Sequence, residues 1–182
     1  FVSIRILKED FTQIIMRFTH SIDIKGKNVS VLLSVNRNHR EVVKQLVEKE
    51  IESIQKKSKS KLQAIASVRV HPLGVLVETD NILSIMQIRA YRELLFPILT
   101  NKLISANPKE AAKEVWNAGI MELLQKLHIG NGAFYFRVEV KSPMTLEERS
   151  RFTKKLSSEL ENLSKGQFIN STSDYEVELR LI

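Results

Sequence analysis

Residues 133–182 carry the pattern that most restricts how this 182-residue chain can fold. From Phe134 to Lys141, apolar and polar residues alternate, which is the period of a strand with one buried face. Thr145 stands three residues before Glu148, the spacing of a capping box that begins a helix. A polar loop then leads to a second alternating segment, Tyr175 to Leu181. This part of the chain therefore predicts a strand, a capped helix, a loop and a second strand.

The preceding part of the chain predicts a split strand–helix–strand arrangement. Its hydrophobic periodicity gives the order strand, helix, strand, strand, helix, strand, which is typical of a ferredoxin-like fold. The predicted elements are strands at Val29–Val35, Leu62–Val70, Gly74–Thr79 and Ile88–Phe96, and helices at His39–Lys56 and Ile82–Gln87.

Two further regions complete the prediction of an α+β chain. Val2–Ile6 and Ile14–Phe18 read as short strands, with helix as an alternative for the second. Ile98–Ala106 is a connecting stretch for which helix is one alternative, and Asn107-Pro108 begins a long helix that ends at Gly130. We predict an N-terminal extension at 1–28, a ferredoxin-like domain at 29–100 and an α/β domain at 101–182.

Residues suited to catalysis or metal binding are not clustered in the sequence. The absence of cysteine excludes disulfides, thiolate zinc sites and a cysteine nucleophile, and it fits a cytoplasmic protein. None of the four histidines has a second ligand at metal spacing, and no phosphate-binding glycine motif occurs. Glu176 and Glu178 share one strand face, where we expect them to be solvated. We predict no catalytic residue, no metal and no membrane segment.

The charge of the chain points to an anionic partner. The formal net charge is +7 and the isoelectric point is about 9.6. Cations near the last predicted helix can neutralise phosphates, and the polar loop after it can bind ribose hydroxyls and phosphate oxygens. The predicted RNA-binding residues are Lys141, Arg149, Arg151, Lys154, Lys155, Lys165, Asn170, Ser171, Thr172 and Ser173. The alternative is that these residues only solvate a helix and form turns.

The same region resembles a known RNA-binding module. The runs from Phe136 to Lys141 and from Ser171 to Arg180 look like the closing half of a THUMP domain. THUMP domains occur in enzymes that modify tRNA and rRNA. The chain is similar to the N-terminal part of bacterial THUMP-containing, S-adenosylmethionine-dependent RNA methyltransferases, in which a ferredoxin-like domain precedes the THUMP domain and the methyltransferase domain follows it.

This resemblance implies that RNA binding and catalysis take place in different domains. Residues 101–182 would form a THUMP-like domain that grips structured RNA, tRNA or rRNA, typically at the acceptor end of tRNA. The catalytic domain and its S-adenosylmethionine are expected outside this chain, which by itself would hold no cofactor and would not be an enzyme. The alternative is a protein-interaction or dimerisation module without RNA contact, and self-association stays open under either reading.

Overall fold

The computed structural model describes residues 11–18, 23–57, 67–130 and 133–182. These residues form eight strands and five α-helices, which confirms the predicted α+β class. The strands are β1 (Phe11–Phe18), β2 (Val29–Ser34), β3 (Ser67–His71), β4 (Gly74–Thr79), β5 (Glu93–Ile104), β6 (Phe134–Val140), β7 (Phe168–Asn170) and β8 (Val177–Leu181). The helices are α1 (Arg40–Lys57), α2 (Ile82–Met86), α3 (Pro108–Asn117), α4 (Ile120–Leu127) and α5 (Leu146–Leu163).

The chain divides into two compact units. The first unit is Ile22–Pro97, and the second combines Ile98–Ile182 with Phe1–Ser21. The predicted boundary lies between residues 100 and 101, slightly later than this division. The N-terminal segment, predicted as a separate extension, contributes β1 to the second unit.

In the first unit the strand order is β3-β4-β2-β5, and all neighbours are antiparallel. Because β4 lies between β2 and β3, the strand–helix–strand unit of β2, α1 and β3 is split. Gly74 permits the close pairing of β4 with β2, since a Cβ atom there would lie 1.9 Å from the carbonyl oxygen of Leu33. The core of this unit includes the buried residues Val31, Leu33, Val43, Val47, Val75, Val77, Ile82, Ile85 and Phe96.

In the second unit the strand order is β1-β8-β6-β7. β8 pairs with β1 in the antiparallel direction and with β6 in the parallel direction, and β7 runs parallel to β6 on its other side. Helix α5 packs against β6, β7 and α3. The apolar residues that alternate in the sequence form the core between sheet and helix. These buried residues are Phe134, Phe136, Val138, Val140, Phe152, Leu156, Leu160, Val177, Leu179 and Leu181.

Several element bounds differ from the prediction. The strand predicted at Ile88–Phe96 is β5, which begins later, at Glu93, and continues through Pro97 to Ile104. Most of the stretch predicted as a connection, Ile98–Ala106, is therefore strand. The predicted single helix is two helices, because Gly119 adopts a left-handed φ of 85° between α3 and α4. The predicted strand at 2–6 and residues 62–66 of another predicted strand lie outside the described residues.

Candidate nucleic-acid interface

Helix α5 begins at the capping box that the sequence predicts. The hydroxyl oxygen of Thr145 accepts a hydrogen bond from the backbone N–H of Glu148 at 3.3 Å. In return, the Glu148 carboxylate accepts from the backbone N–H of Thr145 at 2.9 Å. The hydrogen bonds from the backbone and hydroxyl of Thr145 hold the pKa of the Glu148 carboxyl below its usual range. The box sets where α5 starts, and hence which of its side chains face β6.

A groove of about 810 Å³ lies between α5 and β6. We call it the α5–β6 groove. Residues 137–141 line one wall, and α5 contributes the opposite wall from Leu146 to Ser157. Half of the predicted RNA-binding residues line this groove. They are Lys141, Arg149, Lys154, Asn170 and Thr172.

The side chains of the groove give it a positive local charge. Lys141 and Lys154 are exposed, whereas Arg149 is half-buried. One terminal nitrogen of Arg149 donates to the carbonyl oxygen of Met144 at 3.3 Å. Its Nε atom is buried and has no hydrogen-bond partner in the described part of the chain. Glu139 is the one carboxylate among the lining residues, and its Oε2 lies 2.8 Å from the Nε of Arg180.

The other predicted cations lie away from this groove. Arg151 and Lys155 line a smaller depression of about 290 Å³, which Pro108 and Phe152 also border. Because α5 turns 100° per residue, these two cations lie on the opposite flank of the helix from the groove. Lys165 follows the end of α5 and borders a third depression, beside Gly166.

Ser171 and Ser173 are the two remaining predicted RNA-binding residues. Both form hydrogen bonds in the loop after β7. The backbone N–H of Ser171 donates to the carbonyl oxygen of Phe136 at 2.8 Å, and its hydroxyl accepts from the backbone of Asp174 at 3.1 Å. Ser173 donates to the Asp174 carboxylate at 3.0 Å. Ser173 and Tyr135 border the same depression. The Tyr135 side chain is 42% exposed to solvent.

The positive charge of the chain is not concentrated in the region of the groove. Residues 133–182 contain eight Lys or Arg and eight Asp or Glu, whereas residues 1–132 contain twenty and thirteen. The net charge of the whole chain therefore says nothing about the groove. What distinguishes the groove is that four cations line it together with one carboxylate. That carboxylate, Glu139, lies 3.9 Å from the Nζ of Lys141.

Glu178 lies in an environment that differs from the predicted one. The prediction that it is solvated is wrong, because its side chain has no exposed surface. Its carboxylate accepts hydrogen bonds from the Nε of Arg137 at 2.7 Å and from the Nε of Arg180 at 2.6 Å. A terminal nitrogen of Arg17 donates to it at 3.3 Å. We call these four residues the Glu178 cluster.

The cluster forms because of strand register. Arg17 of β1 and Arg137 of β6 both stand opposite Glu178, one on each side of β8. Burial alone would raise the pKa of Glu178, but hydrogen bonds from Arg137, with the charges of Arg180 and Arg17, outweigh it and hold the pKa below its usual range. Alternation in one strand cannot reveal this, since it depends on which strands become neighbours.

Glu176 is also less exposed than predicted. It is half-buried, and its Oε2 lies 3.1 Å from the Nε2 of His128 at the end of α4. The His128 ring packs edge-on against Phe134, with 4.8 Å between ring centroids. Across the described ranges, no group of three His, Cys, Asp or Glu is placed to hold a metal ion. No helix in those ranges is long and apolar enough to span a bilayer.

Comparison with known proteins gives a weak structural likeness. No protein-family model matches the chain, and no curated protein matches it. The crystal structure of PH1313 from Pyrococcus horikoshii Ot3 is similar with a TM-score of 0.40 and 9% sequence identity, covering 84% of this chain and 50% of that one. The chain thus spans about half the length of that structure. A likeness at this level carries no information on function.

Proposed function

We propose that the second unit binds RNA through the α5–β6 groove. The observation that carries this proposal is the grouping of Lys141, Arg149 and Lys154 along one groove, which Asn170 and Thr172 also line. Cations in this arrangement neutralise phosphates and release condensed counterions, which supplies most sequence-independent affinity. The amide and hydroxyl groups suit ribose and phosphate oxygens.

We further propose that the chain is the RNA-binding N-terminal portion of an S-adenosylmethionine-dependent RNA methyltransferase. The THUMP-like pattern of residues 136–141 and 171–180 supports this assignment, and the split strand order of the first unit supports a ferredoxin-like domain before it. In this proposal the chain positions a structured tRNA or rRNA. Methyl transfer from S-adenosylmethionine takes place on a catalytic domain outside this chain.

Salt-dependent binding of a tRNA pool tests the groove. We expect the double variant Lys141→Glu, Lys154→Glu to bind more weakly and to have a shallower dependence of log K on log salt. The slope should fall by roughly 0.7–0.9 for each lost phosphate contact. Fluorescence anisotropy titrations at several salt concentrations measure both quantities.

A matched variant separates groove contacts from a general charge effect. Arg151→Glu, Lys155→Glu makes the same charge change on the opposite flank of α5. We expect it to retain the slope of the unmodified chain, apart from the small loss due to a lower net charge. Equal slopes for the two double variants would contradict the assignment of the groove.

A protein-interaction module is the second candidate, and exposed apolar residues in the first unit favour it. Val42 and Leu46 lie one helical turn apart on α1 and are 56% and 41% exposed. Leu83 and Met86 of α2 are 45% and 40% exposed. Under this candidate, sedimentation would detect an RNA-independent oligomer that Leu46→Asp dissociates. A monomer that binds RNA would favour the first proposal.

A further inference from the structure

The β6 edge that faces β7 is covered over only part of its length. β7 has three residues, and it pairs with β6 from Phe134 to Phe136. β8 pairs with the opposite edge from Phe136 to Val140. Within the described ranges, β6 therefore has a neighbouring strand on one side only from residue 137 to residue 140. Its other edge borders the α5–β6 groove.

Hydrogen bonds at the two ends of β6 show which backbone groups face the uncovered edge. The carbonyl oxygen of Tyr135 and the N–H of Lys141 bond to the β8 side, at 2.9 Å each. The N–H of Phe134 and the carbonyl oxygen of Phe136 bond to the β7 side, at 2.7 and 2.8 Å. Because successive residues of a strand alternate between its two edges, the backbone groups of even-numbered residues face away from β8.

Val138 and Val140 consequently present unpaired backbone groups to the groove. Both valines line it, and nothing in the part of the chain that the structure describes forms a hydrogen bond with their N–H or C=O groups. Along such an edge, a donor and an acceptor recur at every second residue, about 6.6 Å apart. An extended peptide carries the same repeat, so it can add a strand to the edge through backbone hydrogen bonds.

The side chains around this edge indicate the composition of such a peptide. Lys141, Arg149 and Lys154 line the groove, so acidic side chains are favoured there. Leu146, on the α5 wall, is 79% exposed. An exposed leucine adds nothing to the binding of phosphates, but it gains free energy when an apolar side chain covers it. A peptide that combines acidic with apolar residues therefore matches the lining of the groove.

We propose that the α5–β6 groove accepts an extended acidic segment of a partner protein, which adds a strand to β6 at Val138 and Val140 and displaces RNA. A strand that covers residues 137–141 needs about five residues, since it rises about 3.3 Å per residue. Its carboxylates lie against the same cations that the proposed function assigns to RNA phosphates. The two ligands exclude each other, so the acidic partner regulates RNA binding. This displacement rests on the proposed function, whereas binding of the peptide does not.

Amide hydrogen exchange measured by NMR on the full chain tests the addition of a strand. The probe is a peptide of about six residues in which glutamate and valine alternate, blocked at both ends. At about ten times its Kd, it should slow exchange at Val138 and Val140 by about tenfold, because only the unbound chain exchanges. The amides of Arg137 and Glu139 face β8 and serve as controls within the same strand.

Two matched peptides separate strand addition from attraction between charges. A version with every backbone N–H methylated keeps the negative charge but cannot donate ladder hydrogen bonds, and we expect it to bind at least about tenfold more weakly. A version with lysine in place of glutamate keeps the backbone groups and should not bind, since it meets cations. Equal protection of the two valines by the acidic peptide and its methylated version would overturn the inference.

Exchange in the free chain gives a second check. The amide protons of Val138 and Val140 should exchange fast before peptide is added, because the edge is open. Slow exchange at both valines that becomes fast on dilution would mean that a second copy of the chain covers the edge. That result would also overturn the inference.

Displacement of a fluorescently labelled tRNA pool tests the regulatory part. At constant ionic strength, the acidic peptide should release the RNA, and the methylated version should do so at least about tenfold less effectively. The Arg151→Glu, Lys155→Glu variant should show the same release as the unmodified chain, because these residues lie outside the groove. Simultaneous binding of peptide and RNA would contradict the displacement.

Failure of this inference is distinguishable from failure of the proposed function. If the groove variants weaken tRNA binding but the acidic peptide leaves exchange at both valines unchanged, RNA binding stands and strand addition is wrong. If the peptide protects the valines and no RNA binds the full chain, strand addition stands, while the proposed function and the displacement fail together.

Discussion

At the scale of single residues, Glu178 shows how a buried carboxylate is tolerated in a sheet. An isolated buried carboxylate would be strongly destabilising, because burial removes the water that solvates its charge. Here two arginines from neighbouring strands and one from the same strand surround it, and a guanidinium–carboxylate hydrogen bond is stronger than a neutral one. Arg17 and Arg137 keep 28% and 37% of their side-chain surface exposed, so their own desolvation is partial.

Removing the carboxylate charge should destabilise the second unit. We expect Glu178→Gln to lower the free energy of unfolding by roughly 2–3 kcal/mol. This is less than the 3–5 kcal/mol of a fully buried pair, because water still screens two of the arginines. Urea unfolding measures the change. Glu147→Gln is the matched control, since the Glu147 side chain is 83% exposed, and it should change stability little. Similar losses for both variants would contradict the account of the cluster.

The same residue predicts a pH dependence of stability. Since the pKa of Glu178 is below its ordinary value of 4.5 in the folded state, its contribution is fully present above that value. The contribution is lost as the pH falls through the lowered folded-state pKa. Unfolding free energies from about pH 6 to about pH 3 should therefore fall more steeply for the unmodified chain than for Glu178→Gln. Parallel curves would show that the residue contributes no such dependence.

At the scale of elements, the capping box at Thr145 determines where α5 starts, and its contribution to the free energy of unfolding can be measured. Thr145→Ala removes the hydroxyl that accepts from Glu148, so we expect a loss of about 1 kcal/mol of unfolding free energy. Ser150→Ala, within the same helix and exposed, should be nearly neutral because alanine favours helix. Thermal and urea unfolding of both variants measure this difference. A Thr145→Ala chain as stable as the unmodified one would contradict the capping account.

The elements also separate what a sequence can predict from what it cannot. α5 and β6 were predictable because their cap and alternation are local signals. β7 was not, since three residues are too few for a period, and its pairing depends on where α5 ends. The sequence predicts one helix here because the apolar stripe of α3 continues into α4. The hydrophobic pattern does not show that Gly119 adopts a left-handed backbone conformation between them. The α5–β6 groove depends on the shortness of β7, and five of the ten predicted RNA-binding residues line it.

At the scale of the whole molecule, the proposed function would give RNA binding two contributions from different parts of the chain. The excess of cations lies in residues 1–132, where it attracts any polyanion at low salt. The α5–β6 groove lies in a region of balanced charge, and under the proposed function it would act through contacts at short range. Under the proposed function, non-specific attraction and specific placement of RNA would therefore have different sources in the chain, and they should respond differently to salt.

Photochemical cross-linking of the full chain to a tRNA pool tests the central claim most directly, because it locates the contact without altering the protein. We predict that cross-linked peptides, identified by mass spectrometry at near-physiological salt, come from residues 137–154 and 170–172, which include the groove. The Lys141→Glu, Lys154→Glu variant should lose these cross-links. Cross-links confined to residues 1–132, where the excess positive charge lies, would contradict the account.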